Sequence, residues 1–463
     1  MTRIAIVGGG ISGLAAAWTL AERLPDAEVL VLEASPHVGG KLQSADVAGV
    51  SVDVGAEAML ARRPEGMRLV GALGLDGQVI APLSTSARVR AGGVLHPLPA
   101  RTMLGIPADL DAAATSGVLG DAALARLAAE PDAVPLRPLE ADVAVGQVVR
   151  DRLGDEVADR LVEPLLGGVY AGRADALSLR ATMPALFGQL AEHGGSLVRA
   201  AQAVVDAGAR NPATGPVFAS LRGGLARLPR ALADSGRFTV RTGTTVRELS
   251  RTATGFRLVA GPVPEPVVIE ADAVVIAAPA AKAARLARGV APSAAADLAG
   301  IEYASMVIAT FAYRDVDLPD GSGLLVSARE GLAVKGVTIS SQKWPLETGG
   351  VTVLRASIGR AGEAQELQRD DEDLLALARR DLRSLLGLTA EPIDSVLTRW
   401  GGGLPQYAVG HVERVARIRA AVEAVPGLAV CGAAYDGVGI PACIGSAQRA
   451  ADHVAAALSQ RGQ

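Results

Sequence analysis

Three glycines near the N-terminus have the spacing of a phosphate-binding turn. Gly8, Gly10 and Gly13 form a G-x-G-x-x-G pattern between a short apolar run and a segment rich in alanine and leucine. In this pattern one glycine permits a tight turn, the next lets a pyrophosphate approach the backbone, and the third lets helix and strand pack closely. We therefore predict that a dinucleotide binds at Gly8, Gly9, Gly10, Ile11, Ser12 and Gly13.

An acidic residue lies where such a site requires one. Glu33 follows Gly13 by twenty residues, at the end of the β-branched run "AEVLVLEA", and Ala34 comes next. A carboxylate at this place accepts hydrogen bonds from a ribose hydroxyl and disfavours a 2′-phosphate. The sequence thus predicts a dinucleotide without that phosphate. An ordinary glycine-rich turn is the alternative.

The elements that must position these residues form a parallel unit. Residues 3–7 and 27–34 read as buried strands, and residues 12–23 read as the helix between them. Helical periodicity dominates from about 95 to 205, strand patterns return afterwards, and the chain ends in a strand, a glycine-rich turn and a long helix. This order predicts an α/β protein with a Rossmann-type domain.

Composition excludes several classes of function. The chain has 463 residues, half of them hydrophobic, and a net charge of −4, so two or three domains and no nucleic-acid partner are expected. Its two cysteines, Cys431 and Cys443, form neither a disulfide framework nor a metal pattern, and we expect no metal. No apolar run reaches the length of a membrane span, and no leader peptide is evident. We expect a cytoplasmic protein, with peripheral membrane contact left open.

A second glycine pair indicates which dinucleotide binds. Gly39 and Gly40 are followed by Lys41 in "EASPHVGGKLQS", directly after the acidic residue. This segment resembles the double-glycine motif of the flavin-dependent amine oxidase and phytoene desaturase superfamily, whose basic residue is usually arginine; lysine keeps the charge and loses the planar fork. The terminal "CGAAYDGVGIPACIGSAQRAA" is similar to the segment that completes the flavin site in that superfamily. The resemblance implies non-covalent FAD.

Within that superfamily, distributed motifs resemble one group. They are "EPLLGGVYAGRADALSLRATMP" (163–184), "SLRGGLARLP" (220–229), "SSQKWP" (340–345), "LPQYAVGH" (404–411) and "DGVGIPACIGSAQRAA" (436–451). Together they are similar to the oxygen-dependent porphyrinogen oxidases, above all to the soluble bacterial, coproporphyrin-forming type. The resemblance covers nearly the whole chain.

The resemblance implies a division of the chain into three domains. An FAD-binding domain would comprise residues 1–94, 206–285 and 425–463. A helical domain would be inserted at 95–205, and a substrate-binding domain with a mixed sheet would span 286–424.

It also implies which residues approach the cofactor and the substrate. The cofactor set adds Gly55, Ala56, Glu57, Ala58, Val246, Trp400, Gly432, Gly437, Val438, Gly439 and Ile440 to those above; a core position is the alternative for Trp400. The basic candidates for the substrate are Arg62, Arg63, Arg173, Lys335 and Lys343, with a solvated surface pair as the alternative for Arg62 and Arg63. No catalytic side chain is expected, because the flavin N5 would carry the chemistry, and His96 and His411 are not expected to act as bases or metal ligands.

The reaction implied is a six-electron oxidation of coproporphyrinogen III to coproporphyrin III in haem biosynthesis, with O2 as acceptor and H2O2 as product. The next enzyme of that pathway is a candidate partner. Protoporphyrinogen IX, an amine and a carotenoid precursor are alternative substrates. A non-catalytic binding module of the escort type is the alternative from another class.

Overall fold

The computed structural model describes residues 2–133, 141–210 and 215–461. Its strands are β1 (Arg3–Val7), β2 (Glu28–Leu32), β3 (Ser44–Val47), β4 (Val50–Asp53), β5 (Met59–Leu60), β6 (Val79–Ile80), β7 (Ala87–Ala91), β8 (Val94–Pro97), β9 (Thr102–Met103), β10 (Ile106–Pro107), β11 (Phe218–Leu221), β12 (Thr239–Arg241), β13 (Val246–Arg251), β14 (Phe256–Ala260), β15 (Val267–Ala271), β16 (Ala273–Ile276), β17 (Tyr303–Arg314), β18 (Gly323–Val326), β19 (Val334–Ile339), β20 (Val351–Ile358), β21 (Asp394–Pro405) and β22 (Leu428–Val430).

Its α-helices are α1 (Ile11–Arg23), α2 (Pro64–Ala72), α3 (Leu110–Ser116), α4 (Asp121–Ala129), α5 (Val145–Leu153), α6 (Asp155–Val157), α7 (Glu163–Tyr170), α8 (Leu179–Thr182), α9 (Pro184–Glu192), α10 (Leu197–Arg210), α11 (Arg227–Ala233), α12 (Ala280–Ala287), α13 (Pro292–Ala299), α14 (Ser340–Lys343), α15 (Asp371–Leu386), α16 (His411–Glu423) and α17 (Ile440–Arg461). A π-helical turn, Ala158–Val162, joins α6 to α7.

The N-terminal strands form the centre of a five-stranded parallel sheet with the order β12-β2-β1-β16-β22. Both faces of this sheet are covered, which explains why its strands are almost continuously apolar. Ile4 and Ile6 pack towards α1 and α17, whereas Ala5 and Val7 pack towards α12, α13 and α16. The predicted Rossmann-type unit is confirmed.

A seven-stranded mixed sheet with the order β21-β17-β20-β19-β18-β7-β8 forms the second large layer. Its pairs are antiparallel except β18 with β7. One face packs on α15 through residues such as Phe311 and Leu354. Because side chains alternate along a strand, the neighbours of these residues point to the opposite face, where the site lies.

Helices α3 to α10 share a separate apolar core, which α7 extends to β18 and β19. Strands β7 and β8 belong to the seven-stranded sheet, and the predicted boundary after residue 94 falls within β8. The predicted α/β class with a mixed second sheet is confirmed, and the domain boundaries stay a prediction.

Candidate functional site

The first glycine turn connects β1 to α1 through a backbone that leaves no room for side chains. A Cβ atom on Gly13 would lie 1.9 Å from the carbonyl oxygen of Gly8, and one on Gly8, where φ is +115°, would lie 2.7 Å from that of Ala277. Gly10 differs, because the nearest atom to its added Cβ is the Cα of Gly40 at 4.0 Å. Gly8 and Gly13 thus serve packing, whereas the surface at Gly10 is open.

The second glycine pair lies directly against the first. The N–H of Gly39 donates to the carbonyl oxygen of Gly9 at 2.8 Å, and a Cβ on Gly40 would approach the Cα of Gly10 to 3.2 Å. Two bare backbone segments therefore meet beside the N-terminus of α1. A helix N-terminus with exposed backbone is a site for phosphate groups.

Glu33 connects the end of β2 to this turn. Its carboxylate accepts from the N–H of Gly9 at 2.6 Å and from the N–H of Ser35 at 2.7 Å. These bonds hold the side chain beside the glycines, with Ala34 and Val246 on the same cavity wall. The carboxylate is therefore placed at the carboxyl edge of the parallel sheet, where Rossmann-type domains bind a ribose.

All of these segments open into one cavity of about 1040 Å³. The predicted cofactor residues that line it are Gly8, Gly10, Ile11, Ser12, Glu33, Ala34, Gly39, Gly40, Lys41, Gly55, Ala56, Glu57, Ala58, Val246, Trp400, Gly432, Val438 and Ile440. Four predicted residues, Gly9, Gly13, Gly437 and Gly439, do not line it. The open cradle at Gly10 and the volume of the cavity fit a dinucleotide.

The C-terminal segment closes the cavity from another side. Gly432, at φ +134°, follows β22 and begins a turn, and Ile440 is the first residue of α17. The N-terminus of this long helix therefore lies at the cavity and presents the positive end of its dipole. Such an end stabilises negative charge on a bound group.

Trp400 packs against the segment that follows β4. Its indole Nε1 donates to the carbonyl oxygen of Val54 at 2.9 Å, and its Cζ2 atom would lie 3.2 Å from a Cβ on Gly55. A Cβ there would also lie 2.0 Å from the carbonyl oxygen of Lys41. Trp400 is half-buried and faces the cavity, so it is not a residue of the interior core.

Glu57 lies in a buried charge cluster. Arg355 donates to its Oε2 at 2.6 Å and to the carbonyl oxygen of Gly55 at 2.7 Å, and Lys343 donates to its Oε1 at 2.5 Å. Burial acts to raise the pKa of Glu57, but the charges of Arg355 and Lys343 lower it below the ordinary value. The carboxylate is thus ionised and ties the segment at 55–58 to the seven-stranded sheet.

The five predicted substrate residues occupy different places. Lys335 lines the cavity, and Lys343 pairs with Glu57 behind its wall. Arg62 is exposed, and Arg63 pairs with Glu65 at 2.7 Å. Of the five, only Lys335 belongs to the lining.

Arg173, the remaining candidate, belongs to another charge cluster. It forms an ion pair with Glu363 and lies 3.5 Å from an oxygen of Glu163, outside the cavity lining. Its guanidinium therefore joins the segment after α7 to the loop after β20.

The sequence did not predict several of the residues that line the cavity. On the sheet side they are Met306, Ile308, Thr338, Arg355 and Ser357, and on β13 and α12 they are Arg247, Lys282 and Arg285. A signal existed for Arg355, because it interrupts the apolar strand "VTVLRASI". The others alternate with core residues, and this pattern does not tell which face carries a ligand.

The charge of the cavity is opposite in sign to that of the chain. Its lining holds the basic residues Lys41, Arg247, Lys282, Arg285, Lys335 and Arg355 against the acidic residues Glu33 and Glu57. Both carboxylates are engaged, Glu33 by backbone N–H groups and Glu57 by two cations. The remaining positive charge favours anionic ligands.

The described ranges hold neither a helix suited to crossing a membrane nor a cluster of metal-binding side chains. None of the helices in them combines the length and apolar character that crossing a membrane requires. Within the same ranges, no group of three histidine, cysteine or acidic residues is arranged to hold a metal ion.

Comparison with known proteins agrees with this site. The family described as flavin-containing amine oxidoreductase matches residues 11–455. The coproporphyrinogen III oxidase of Mycobacterium tuberculosis H37Rv is 38% identical over 98% of this chain and 97% of its own length, and that of Bacillus subtilis 168 is 32% identical over 95% of each. A solved structure of a candidate protoporphyrinogen oxidase from Exiguobacterium sp. 255-15 superposes with a TM-score of 0.87 at 32% identity, covering 98% and 99% of the two chains.

These matches confirm the resemblance inferred from the distributed motifs, and with it FAD as cofactor. The open backbone at Gly10, the carboxylate of Glu33 and the N-terminus of α17 suit this cofactor, and the assignment of individual residues to it stays a prediction. The chain belongs to the flavin-containing amine oxidoreductase family and is an FAD-dependent oxidoreductase.

Proposed function

We propose that this protein oxidises coproporphyrinogen III to coproporphyrin III. The observation that carries the proposal is one continuous, positively charged cavity, which runs from the two glycine turns to the seven-stranded sheet. The near full-length similarity to coproporphyrinogen III oxidases supports the choice of substrate. The macrocycle would lose six electrons and six hydrogens, and three O2 would become three H2O2.

The residues proposed to hold FAD divide by the part of the cofactor they face. The turn at 8–13 would bind the pyrophosphate, Glu33 the ribose and Val246 the adenine. The segments at 39–41, 55–58 and 432–440, together with Trp400, would surround the flavin. When bound, FAD supplies a two-electron acceptor for hydride.

The protein's part in the proposed reaction is to position the substrate and to exclude water from the cavity. Met306 and Ile308 give the sheet side of the cavity an apolar surface suited to a macrocycle. Aromatisation of the ring drives the reaction, so little acid–base assistance is needed.

Charge supports coproporphyrinogen over protoporphyrinogen. The first carries four carboxylates and the second carries two, and on the sheet side of the cavity Lys335 is a cation that forms no ion pair within the described residues. Lys335 is the proposed contact inside the cavity. Contacts of Arg62 and Arg63 with the substrate stay predictions for its entrance.

Protoporphyrinogen IX is the second candidate, favoured by the description of the Exiguobacterium neighbour. The proposal also includes O2 as acceptor, a cytoplasmic location, and the next enzyme of the haem pathway as recipient of the product. The alternative of a non-catalytic binding module does not require electron transfer, so turnover separates the two.

The proposal is tested by the stoichiometry of the purified, yellow holoprotein. We expect three O2 consumed and three H2O2 formed for each coproporphyrin III, followed by an oxygen electrode, a peroxidase-coupled assay and porphyrin absorbance. Gly10→Val, which is expected to lack FAD, serves as the control for spontaneous oxidation. Porphyrin formation at the same rate in both samples would exclude the proposed activity.

A further inference from the structure

Lys335 is a buried amine without an acidic partner. Its side chain is 6% exposed and lines the cavity, and its Nζ donates to the carbonyl oxygen of Gly167 at 3.3 Å. Within the described ranges no carboxylate forms an ion pair with it; the nearby Glu363 pairs instead with Arg360 and Arg173. Burying an ammonium group without a charged partner costs folding free energy. Packing therefore does not explain why a lysine occupies this position.

A β-bulge turns the Lys335 side chain towards the cavity. In β19 the pairing with β20 shifts between Val334 and Gly336, which leaves Lys335 as the extra residue. Val334, Val337 and Ile339 face the core on the α15 side. In a regular strand Lys335 would share the face of Val337 and Ile339, and the bulge moves it to the opposite face.

The charges around Lys335 do not balance. The group contains the cations Lys335, Arg360 and Arg173 and the carboxylates Glu163 and Glu363, contributed by α7, β19 and the segments that follow α7 and β20. Arg355, on the neighbouring β20, is already engaged by Glu57. When Lys335 is protonated, one positive charge therefore remains at the cavity wall.

We propose that Lys335 is a binding site for one carboxylate of the substrate, and that binding there is coupled to the uptake of a proton. This inference rests on the proposed function, which supplies a substrate with four carboxylates. The hydroxyl groups of Thr338 and Ser357, on the same wall, add polar contacts for that carboxylate.

The proton coupling follows from the surroundings of the amine. Burial and the charge of Arg360 lower the pKa of Lys335 to about 7, although Glu363 acts to raise it. A carboxylate placed beside the amine favours its charged form and raises this pKa. Above pH 7 the complex therefore holds more protons than the free protein, and affinity falls by up to about tenfold per pH unit.

The test measures the affinity of the holoprotein for coproporphyrin III by fluorescence titration between pH 6.5 and 9. For wild type we expect tight binding at pH 6.5 that weakens as the pH rises. Lys335→Met should weaken binding at pH 6.5 by about 10- to 150-fold, the worth of a charged hydrogen bond, and flatten the pH profile. Lys335→Arg should retain affinity at pH 6.5 and lose the pH dependence, because arginine does not titrate in this range.

The matched control is Arg383→Met, which removes one exposed cation on α15. FAD content and Tm of each variant show whether it folds as wild type does. If Lys335→Met binds coproporphyrin III as wild type does at every pH, the inference is wrong. A loss confined to kcat with unchanged affinity also contradicts it, because Lys335 would then accept a proton from the ring instead of binding a carboxylate.

The failure of the proposed function gives a different result. In that case wild type itself neither oxidises coproporphyrinogen III nor binds coproporphyrin III, and the inference falls with it. A different outcome is that wild type oxidises coproporphyrinogen III and the Lys335 variants bind coproporphyrin III as wild type does. That outcome refutes the carboxylate site and leaves the proposed function standing.

Discussion

Arg355 of the seven-stranded sheet holds Glu57 of the cavity segment, with 2.6 Å between Nη1 and Oε2. The two residues are 298 positions apart in the chain, and their side chains are 9% and 14% exposed. Lys343 completes the cluster from a position that is 22% exposed. Because Gly55 and Ala56 lie in the same segment, this cluster fixes one wall of the cofactor site to the wall proposed for the substrate.

Removing the central carboxylate should be the most damaging change in this cluster. Glu57→Gln removes the carboxylate that pairs with Arg355 and Lys343, which leaves the buried Arg355 without its charged partner, and is expected to lower the free energy of unfolding by about 3–5 kcal/mol. Lys343→Met leaves the Arg355–Glu57 pair intact and should cost about 0–1 kcal/mol, as expected for a pair nearer the surface. Urea unfolding of the holoproteins measures both values. Equal losses of unfolding free energy in the two variants would show that the Arg355–Glu57 pair contributes little to stability.

Two glycines of the first turn should respond in opposite ways. Gly10 has an extended backbone, φ −74° and ψ 175°, and open space around an added Cβ, so Gly10→Val should fold yet lose FAD because the side chain occupies the place of the pyrophosphate. Gly13→Ala places a Cβ 1.9 Å from the Gly8 carbonyl oxygen and should destabilise the domain itself. Circular dichroism and the ratio of flavin to protein separate the two effects. Stoichiometric flavin in Gly10→Val would show that the phosphates bind elsewhere.

Glu33 should contribute more to the affinity for FAD than Glu28, the carboxylate at the start of β2. Glu33→Ala removes a charge-assisted hydrogen bond to the ribose, worth about 1.5–3 kcal/mol, which corresponds to about 10- to 150-fold weaker FAD binding. It also frees the N–H of Gly9. Glu28→Ala, which breaks only the partly exposed pair with Arg3, is the matched control and should leave the affinity unchanged. Titration of the apoproteins with FAD measures the difference, and identical affinities would place the ribose away from Glu33.

The FAD itself should be released by acid precipitation of the holoprotein. The two cysteines are buried, and burial raises the pKa of Cys443 to about 11, so the thiol that lines the cavity is a poor nucleophile. All flavin absorbance is therefore expected in the supernatant. Flavin retained in the pellet would demonstrate covalent attachment.

Asp53 should make stability depend on pH. Its Oδ2 accepts from the N–H of Leu225 at 2.9 Å, whereas its buried Oδ1 has no hydrogen-bond partner among the described residues. Burial raises the pKa of Asp53 from 3.8 to about 6. The unfolded chain thus releases this proton at lower pH than the folded chain, and the free energy of unfolding falls as the pH rises from about 4 to about 6.

Asp53→Asn keeps an oxygen acceptor for Leu225 and removes this titration. Its Tm relative to wild type should increase between pH 4 and pH 6 and then stay constant, with a total gain of about 2–3 kcal/mol in the free energy of unfolding. Thermal unfolding at several pH values measures this. A difference that is the same at every pH would mean that Asp53 ionises normally in the folded protein.

Local patterns predicted the cofactor side of the molecule because its chemistry is local. The glycines at 8–13 and the strand that precedes Glu33 lie within one β-α-β unit, and the pair Gly39–Gly40 follows it and pairs back with Gly10, so spacing along the chain reflects spacing in the fold. The sheet side depends on register between distant strands. Neither the pairing of Lys343 with Glu57 nor the bulge at Lys335 follows from a single segment, since each needs the partner strand to be known.

The central claim is tested most directly by comparing kcat/KM of the holoprotein for coproporphyrinogen III and protoporphyrinogen IX in air, from the increase in porphyrin fluorescence. The proposed contact between Lys335 and a substrate carboxylate predicts a higher kcat/KM for coproporphyrinogen III, the substrate with four carboxylates, and a difference that decreases as salt is added. A higher kcat/KM for protoporphyrinogen IX, or no porphyrin formed from either compound by the flavin-loaded protein, would contradict the account.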